Sequence, residues 1–444
     1  MEHDNLQCLS PVQLKKSIAH HRYQKGIISV SIDPLTYQPG GDKKNSEFFD
    51  EYRMKIYERR QSSGIEDLLG TMRGIVLQVE TGEVLPYLHE LYLMGPYRFS
   101  AAFKNTTHNV YVLTSHPEYP RLFILEPLEK DYADEITMFN RLYPLSSKKP
   151  NARYIGEIFS TKDVTETRST LESHSVRFNY HHETKNPFFT DAHFVFTFPS
   201  DFTCNRVGYT QEDIDDYDVL QLGKPFELDP EVMDSLNQVL AFGEAHKLNK
   251  LVLRVDHLAT RILAGEREDA ILEFLTMSNH YFWGAYNISE MNSSTNVTRN
   301  GYVDNDKKSP AKVFTANNTP SFVNSFENLP MPTEDFVRNY GRRLHHMAYE
   351  VLDGNHREGE KNVDYVVQTL KDKGIPFLAH VVGECLDEPN LKQIFSKHSQ
   401  YSILITEYVE RCHQYEGFFT KSNVAALTEA AGKDERYDHG HVFD

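Results

Sequence analysis

One pattern recurs four times along this 444-residue chain: a strand-like run, an amphipathic helix, and further strand-like runs. The first copy opens at Met72–Glu80, continues with a helix pattern over Val84–Leu93, and adds strands at Tyr97–Phe103, Asn109–Thr114 and Arg121–Leu125. Leu85, Leu88, Leu91 and Tyr92 fall near helical spacing, which separates the helix from its neighbours. The second copy has a strand at Ala152–Phe159, a helix over Asp163–Ser175 capped by Thr161 or Asp163, and an aromatic strand, His193–Phe198, within Phe188–Phe198. An acidic, loop-like stretch, Arg206–Pro230, and a helix, Pro230–His246, lead to the third copy. That copy comprises the strand Leu251–Ile262, the helix Gly265–Thr276, the strand Tyr281–Ile288, a polar hairpin with a long loop over Ser289–Pro310, and the return strand Ala311–Ala316. The fourth runs from Leu344 through a helix over Lys361–Lys373, with Val363, Val366, Val367 and Leu370 on one face. Its strands are Phe377–Val382, Leu391–Ser396 and Tyr401–Tyr408.

A repeat of this kind governs the fold, because each βαβββ unit has an apolar sheet face that it cannot bury alone. The expected class is α+β: four βαβββ units paired into two domains, each a curled, open, barrel-like mixed sheet with outer helices. The boundaries fall at an extension over residues 1–68, an N-terminal domain over 69–246, a C-terminal domain over 247–432 and a polar tail over 433–444. Within the extension, Ser46–Gln61 reads as one charged helix.

Charge and cysteine usage narrow the function classes. A net charge of −17 argues against nucleic acid and anionic membranes as partners. No run approaches the roughly 18 apolar residues of a membrane span, and the first residues lack the pattern of a signal peptide. Cys8, Cys204, Cys385 and Cys412 form no Cys-x-x-Cys pair. Four isolated cysteines suit a reduced, cytoplasmic protein.

Three polar residues stand where apolar strands should exclude them. His257 lies in the first strand of the third copy, His346 at the matching place in the fourth, and Glu407 in the last strand of the fourth. Asp256-His257-Leu-Ala and His345-His346-Met-Ala echo each other in register. A lone strand histidine is ordinarily a hydrogen-bonded core residue, and Glu407 has Arg411 and Lys397 within reach along the chain. His380, His398 and His413 have no comparable register and read as surface or core residues. A buried carboxylate nevertheless needs a compensating charge. Two histidines and one carboxylate with open positions are the facial set of non-haem Fe(II) sites, whereas zinc would call for a cysteine or a third histidine. Side chains alternate along a strand, so only one of His345 and His346 is expected on the cavity face, and the echo with His257 selects His346.

Four stretches resemble the 4-hydroxyphenylpyruvate dioxygenase family of the vicinal-oxygen-chelate superfamily. They are Arg254-Val-Asp-His-Leu258; Asp335–Gly341 followed by Leu344-His-His-Met-Ala348; Leu391–Lys397; and Thr406–Arg411 leading to Gly417–Val424. Order and spacing agree over about residues 250–430, and residues 70–245 agree in architecture only. The resemblance implies that His257, His346 and Glu407 bind Fe(II) in a catalytic C-terminal domain, the N-terminal domain holding no metal. It also implies that Gln393 and Phe395 line the substrate pocket, that Phe419 stacks on the substrate ring and that Asn318 matches a pocket asparagine. The reactants would be O2 and a small aromatic 2-oxo acid, 4-hydroxyphenylpyruvate or a relative, which is decarboxylated and hydroxylated to homogentisate as in tyrosine catabolism. That substrate carries its own 2-oxo acid, so no separate 2-oxoglutarate is needed. The family often forms homo-oligomers through its N-terminal domain.

The chain departs from the family at defined places. His345 stands where the family has glutamine, Pro332 aligns with a further pocket glutamine, and Phe418-Phe-Thr-Lys-Ser-Asn-Val424 lacks the three glycines and final aromatic of the closing motif. No residue of 289–310 can be matched to the family's pocket serine. The metal set is intact while the substrate shell is altered, and lost polar contacts shift specificity by orders of magnitude. Benzylic hydroxylation to a mandelate, a different 2-oxo acid, and a non-catalytic binding protein on the same fold therefore stay open.

Overall fold

The computed structural model of the chain describes residues 32–179, 193–301, 308–320, 330–386, 388–413, 415 and 417–438. Cys8, residues 188–192 of the aromatic segment, residues 302–307 of the expected hairpin loop and the end of the polar tail lie outside them. In chain order the strands are β1 (Gly40–Gly41), β2 (Leu69–Gln78), β3 (Arg98–Lys104), β4 (His108–Thr114), β5 (Arg121–Pro127), β6 (Arg153–Thr161), β7 (Phe194–Phe196), β8 (Arg206–Thr210) and β9 (Lys224–Pro225). There follow β10 (Val252–Arg261), β11 (His280–Ile288), β12 (Ser293–Asn300), β13 (Ala311–Asn317), β14 (Arg343–Val351), the small hairpin β15 (Asn355–Arg357) and β16 (Glu360–Lys361), β17 (Asn390–Phe395) and β18 (Ile405–Cys412).

Two eight-stranded mixed sheets result, ordered β7-β8-β6-β2-β5-β4-β3-β9 and β1-β11-β12-β13-β10-β14-β18-β17. Both follow one plan. Two units meet through antiparallel first strands, β2 with β6 and β10 with β14. Each first strand is flanked on its other side by a parallel strand of its own unit: β5, β8, β13 or β18. This is the α+β fold expected from the repeat. The crossover helices Val84–Met94, Val164–Ser173, Arg267–Met277 and Asn362–Asp372 bury their apolar stripes, Val363, Val366, Val367 and Leu370 among them. Asp163 caps the second helix by accepting from the Glu166 amide.

The two halves dock about a local two-fold. The Tyr408 hydroxyl donates to the Met94 carbonyl (2.7 Å), and Tyr209, at the matching place, donates to the Met277 carbonyl. Near this junction Lys312 is buried 3.0 Å from Glu157, which also accepts from Tyr154.

Several local expectations are corrected. The Asn/Ser-rich stretch after Ile288 is no loop, since β12 is a buried strand between β11 and β13. Its polar side chains are accommodated by hydrogen bonds, Thr298 donating to the Lys312 carbonyl and Asn296 to that of Phe314, so position in the sheet overrides composition. The acidic segment after Asn205 likewise begins with the buried strand β8. Phe377–Val382 forms no strand of its own and pairs at isolated bridges, Phe377 with Ser396 and Val382 with Gln393 of β17. The last strand starts at Ile405 rather than Tyr401, after a left-handed turn at Ile403 (φ 61°). Two helices without a counterpart in the repeat pattern, Pro332–Tyr340 and Lys421–Asp438, cover the C-terminal half. Cys385 and Cys412 are joined by a disulfide (Cα–Cα 5.7 Å), which replaces the expected pair of separate thiols. Among the described residues no helix is long and apolar enough to cross a membrane.

The N-terminal segment is built into the C-terminal sheet. Gly40 and Gly41 pair with Gly284 and Ala285 and so cover the otherwise open edge of β11. A Cβ on Gly284 would lie 2.3 Å from the Gly40 carbonyl oxygen, so this approach requires glycine. The helix Asp50–Ser63 is anchored by buried Arg60, whose guanidinium donates to the carbonyls of Leu275 and His280, and by the Tyr57 hydroxyl, which accepts from the Phe282 amide.

Candidate metal centre

The sheet register brings the three suspected ligands together. His257 on β10 lies opposite Ala348, and Ala259 opposite His346, so both histidines rise from adjacent antiparallel strands. On the far side of β14, Ala348 pairs with Glu407 of β18. The His257 Nε2–Glu407 Oε2 distance is 2.9 Å, His346 Nε2–Glu407 Oε2 3.2 Å, and His257 Nε2–His346 Nε2 3.2 Å.

Ligand atoms about 2.1 Å from an ion and at right angles to one another lie about 3.0 Å apart. The observed triangle has that edge. Glu407 is 1% exposed, yet neither of its oxygens has a hydrogen bond of good geometry among the described residues. A buried carboxylate facing two ring nitrogens without hydrogen-bond alignment is what a shared ion would resolve, so the residues fit a metal ion.

The surroundings orient the set. His257 Nδ1 lies 2.7 Å from Asp256 Oδ1, and both Asp256 oxygens are held by Arg411 at 2.5 and 3.0 Å. Arg411 therefore serves Asp256, not Glu407. Burial disfavours a charged Asp256, but the Arg411 guanidinium and His257 together outweigh it and keep the carboxyl far below its usual range. Burial likewise opposes charge on His257, while Glu407 and Asp256 together hold its pKa up at about 9. His346, with less carboxylate support, is pushed down by burial to about 4. For Glu407, the facing histidines more than offset burial and lower its pKa.

His345 overturns the alternation argument. Ala259 pairs with His346 and Thr260 with Leu344, leaving His345 as the extra residue of a β-bulge. Both histidines consequently line the cavity, and His345 Nδ1 sits 2.8 Å from His346 Nδ1.

That cavity holds about 490 Å³ of space, counting its open mouth, and is mixed in character. Gln393, Phe395 and Phe419 are among the residues that line it. The Phe395 ring is 4.7 Å from that of His346, and the Phe419 ring 5.3 Å from that of His257. Gln393 Oε1 is buried without a hydrogen-bond partner among the described residues. Asn318 is displaced from its expected place. It is exposed and donates to Asn287, while the preceding residue, Asn317, is buried and accepts from the Glu334 amide. Pro332 opens a helix and offers its carbonyl to Arg261, and its neighbour Thr333 faces the cavity. Val424 closes the cavity from the C-terminal helix, alongside Leu427 and Thr428. Sequence reasoning missed Arg261, Ser293, Thr295 and Thr315. Period-two alternation from His257 along β10 was the available signal for Arg261, whereas Ser293 and Thr295 sat in a segment read as loop.

No protein-family description and no curated protein sequence matches the chain. Solved structures do. A mutant of 4-hydroxymandelate synthase from Streptomyces coelicolor superposes with a TM-score of 0.56 at 15% identity, covering 83% of this chain and 99% of that one. A xylose isomerase-like TIM barrel/4-hydroxyphenylpyruvate dioxygenase fusion protein gives 0.54 at 13% identity, covering 87% of this chain and 59% of the fusion. The chain thus shares the fold of these proteins.

Proposed function

We propose that this protein is an Fe(II)-dependent dioxygenase that oxidatively decarboxylates and hydroxylates an aromatic 2-oxo acid, 4-hydroxyphenylpyruvate or a relative, with a homogentisate-type product. The observation that carries this reading is the buried His257–His346–Glu407 triangle, two of whose members, His346 and Glu407, line the cavity. Bound there, Fe(II) would supply the redox chemistry and the open positions for a 2-oxo acid and O2. The chain's own residues do the rest. Phe395 and Phe419 hold an aromatic ring near the ligands, Gln393 offers an unused buried carbonyl, and the C-terminal helix excludes water through Val424 and Leu427. Asp256 and Arg411 fix the His257 ring, as outer partners do for metal-bound histidines.

A second reading changes the product or the acid. The wall carries Ser293, Thr295, Thr315 and Thr333 besides Arg261 and His345, which favours a substrate richer in oxygen than a plain phenylpyruvate. The likeness to a 4-hydroxymandelate synthase keeps benzylic hydroxylation in view. Oxygen uptake by iron-loaded protein, given 4-hydroxyphenylpyruvate and related 2-oxo acids, tests the proposal. Turnover excludes a non-catalytic binding protein, and mass spectrometry of the product separates ring from benzylic oxidation. No uptake with any acid, from protein shown to hold iron, overturns it.

A further inference from the structure

Arg153 and Arg343 occupy matching positions at the start of β6 and β14, opposite Gln78 and Arg261 respectively. Both are sealed from solvent, at 1% and 0% exposure. They clasp the two halves reciprocally. Arg153 Nη2 donates to the carbonyl of Arg342 (2.5 Å), and Arg343 Nη2 donates to that of Ala152 (2.7 Å), so each guanidinium reaches the residue just before the other arginine. Arg153 Nη1 also donates to Asn140 Oδ1.

Three donors remain without a partner among the described residues: Arg153 Nε, Arg343 Nε and Arg343 Nη1. No described carboxylate forms an ion pair with either arginine. The other titratable groups near Arg343 are Tyr340 and the Cys204 thiol, and burial pushes that thiol up, toward its neutral form. Burial, then Arg153, brings Arg343 itself down to about 9. Among the described residues Asp134 is the one carboxylate that acts on Arg153, and it forms no ion pair with it, so two like charges in a sealed junction face a single distant counter-charge, which is costly unless another joins them.

We propose that a small monovalent inorganic anion of the halide class binds between Arg153 and Arg343, on the local two-fold between the halves, and takes up the three free N–H donors. Burial of both side chains excludes a metabolite-sized ligand, and planar guanidinium donors suit an anion. The site is separate from the metal centre, although Arg343 lies on the strand that carries His346.

Crystals of the full-length protein grown in bromide in place of chloride should give an anomalous peak beside Arg343 Nε and Nη1. Thermal unfolding compared in sodium chloride and sodium gluconate at equal ionic strength should show a chloride-specific rise of about 2 °C per tenfold increase once the site is filling. Arg343→Met should abolish that rise, and the wild-type measurements decide the matter even if the variant fails to fold. No bromide peak at these donors, or equal midpoints in the two salts, overturns the proposal.

Discussion

Register matching lays the N-terminal sheet on the C-terminal one, and the three candidate ligand positions become glycines. His257 corresponds to Gly74, since these face Ala348 and Ile158 on one side and Ala311 and Arg121 on the other. His346 corresponds to Gly156, and Glu407 to Gly208. The wall follows suit, with Phe194 for Gln393, Phe196 for Phe395, Val76 for Ala259 and Ile158 for Ala348. One half keeps small residues around large polar ligands and leaves a cavity. The other removes the ligands and fills the same concavity with Val76, Phe123, Ile158, Phe194 and Phe196. A Cβ on Gly208 would lie 2.8 Å from the Phe196 ring, and one on Gly156 2.1 Å from the Arg206 carbonyl oxygen. The fold therefore tolerates either a site or a core at this place but cannot pack both. The junction between the halves, by contrast, stays symmetric in Tyr209 and Tyr408 and in Arg153 and Arg343.

Experiments on matched positions test this contrast. The largest effect is expected from Glu407→Ala, which should lose bound iron on dialysis and cut turnover by roughly a thousandfold or more, worth several kcal/mol of transition-state stabilisation. Metal analysis beside circular dichroism separates this from unfolding. The mirror experiment, Gly208→Glu, should create no metal site and should destabilise by about 3–5 kcal/mol, through overpacking and an unpaired buried charge. If denaturant midpoints barely moved, the N-terminal core would not be packed as described. Asp256→Asn should leave the fold intact and weaken iron binding by about 10–100-fold, read by chelator competition.

The smallest effect concerns a place where the halves agree. Glu90 and Glu273 occupy matching positions on the first and third crossover helices, and burial raises both to about 7 against a serine of the other domain half, Ser399 and Ser200 respectively. Below about pH 7 burial keeps each protonated in the folded protein, while its unfolded counterpart ionises above about 4.5. Their contribution is therefore full below that value and is lost as pH rises through about 7. Glu90→Gln and Glu273→Gln should each flatten the decline in unfolding free energy between pH 4.5 and 7. A change at one position only would break the symmetry.

The repeat, the α+β class and the His257–His346–Glu407 set were legible from residue order, because hydrophobic periodicity and a charge in an apolar run are local signals. The burial of β12 was not, because Asn and Ser look the same in a loop and in a hydrogen-bonded central strand. Nor was the bulge that turns His345 inward, since a one-residue slip is a property of the pairing between β10 and β14 rather than of either strand. Nor was the exposure of Asn318 legible, and Arg411 finds Asp256 across the sheet although Glu407 is nearer along the chain. Sequence by itself determined how the units repeat and which polar residues stand in their apolar strands. Tertiary structure alone decided which half keeps a cavity beside such residues, because whether a concavity is filled or left open depends on the summed volume of side chains brought together from strands far apart in the chain.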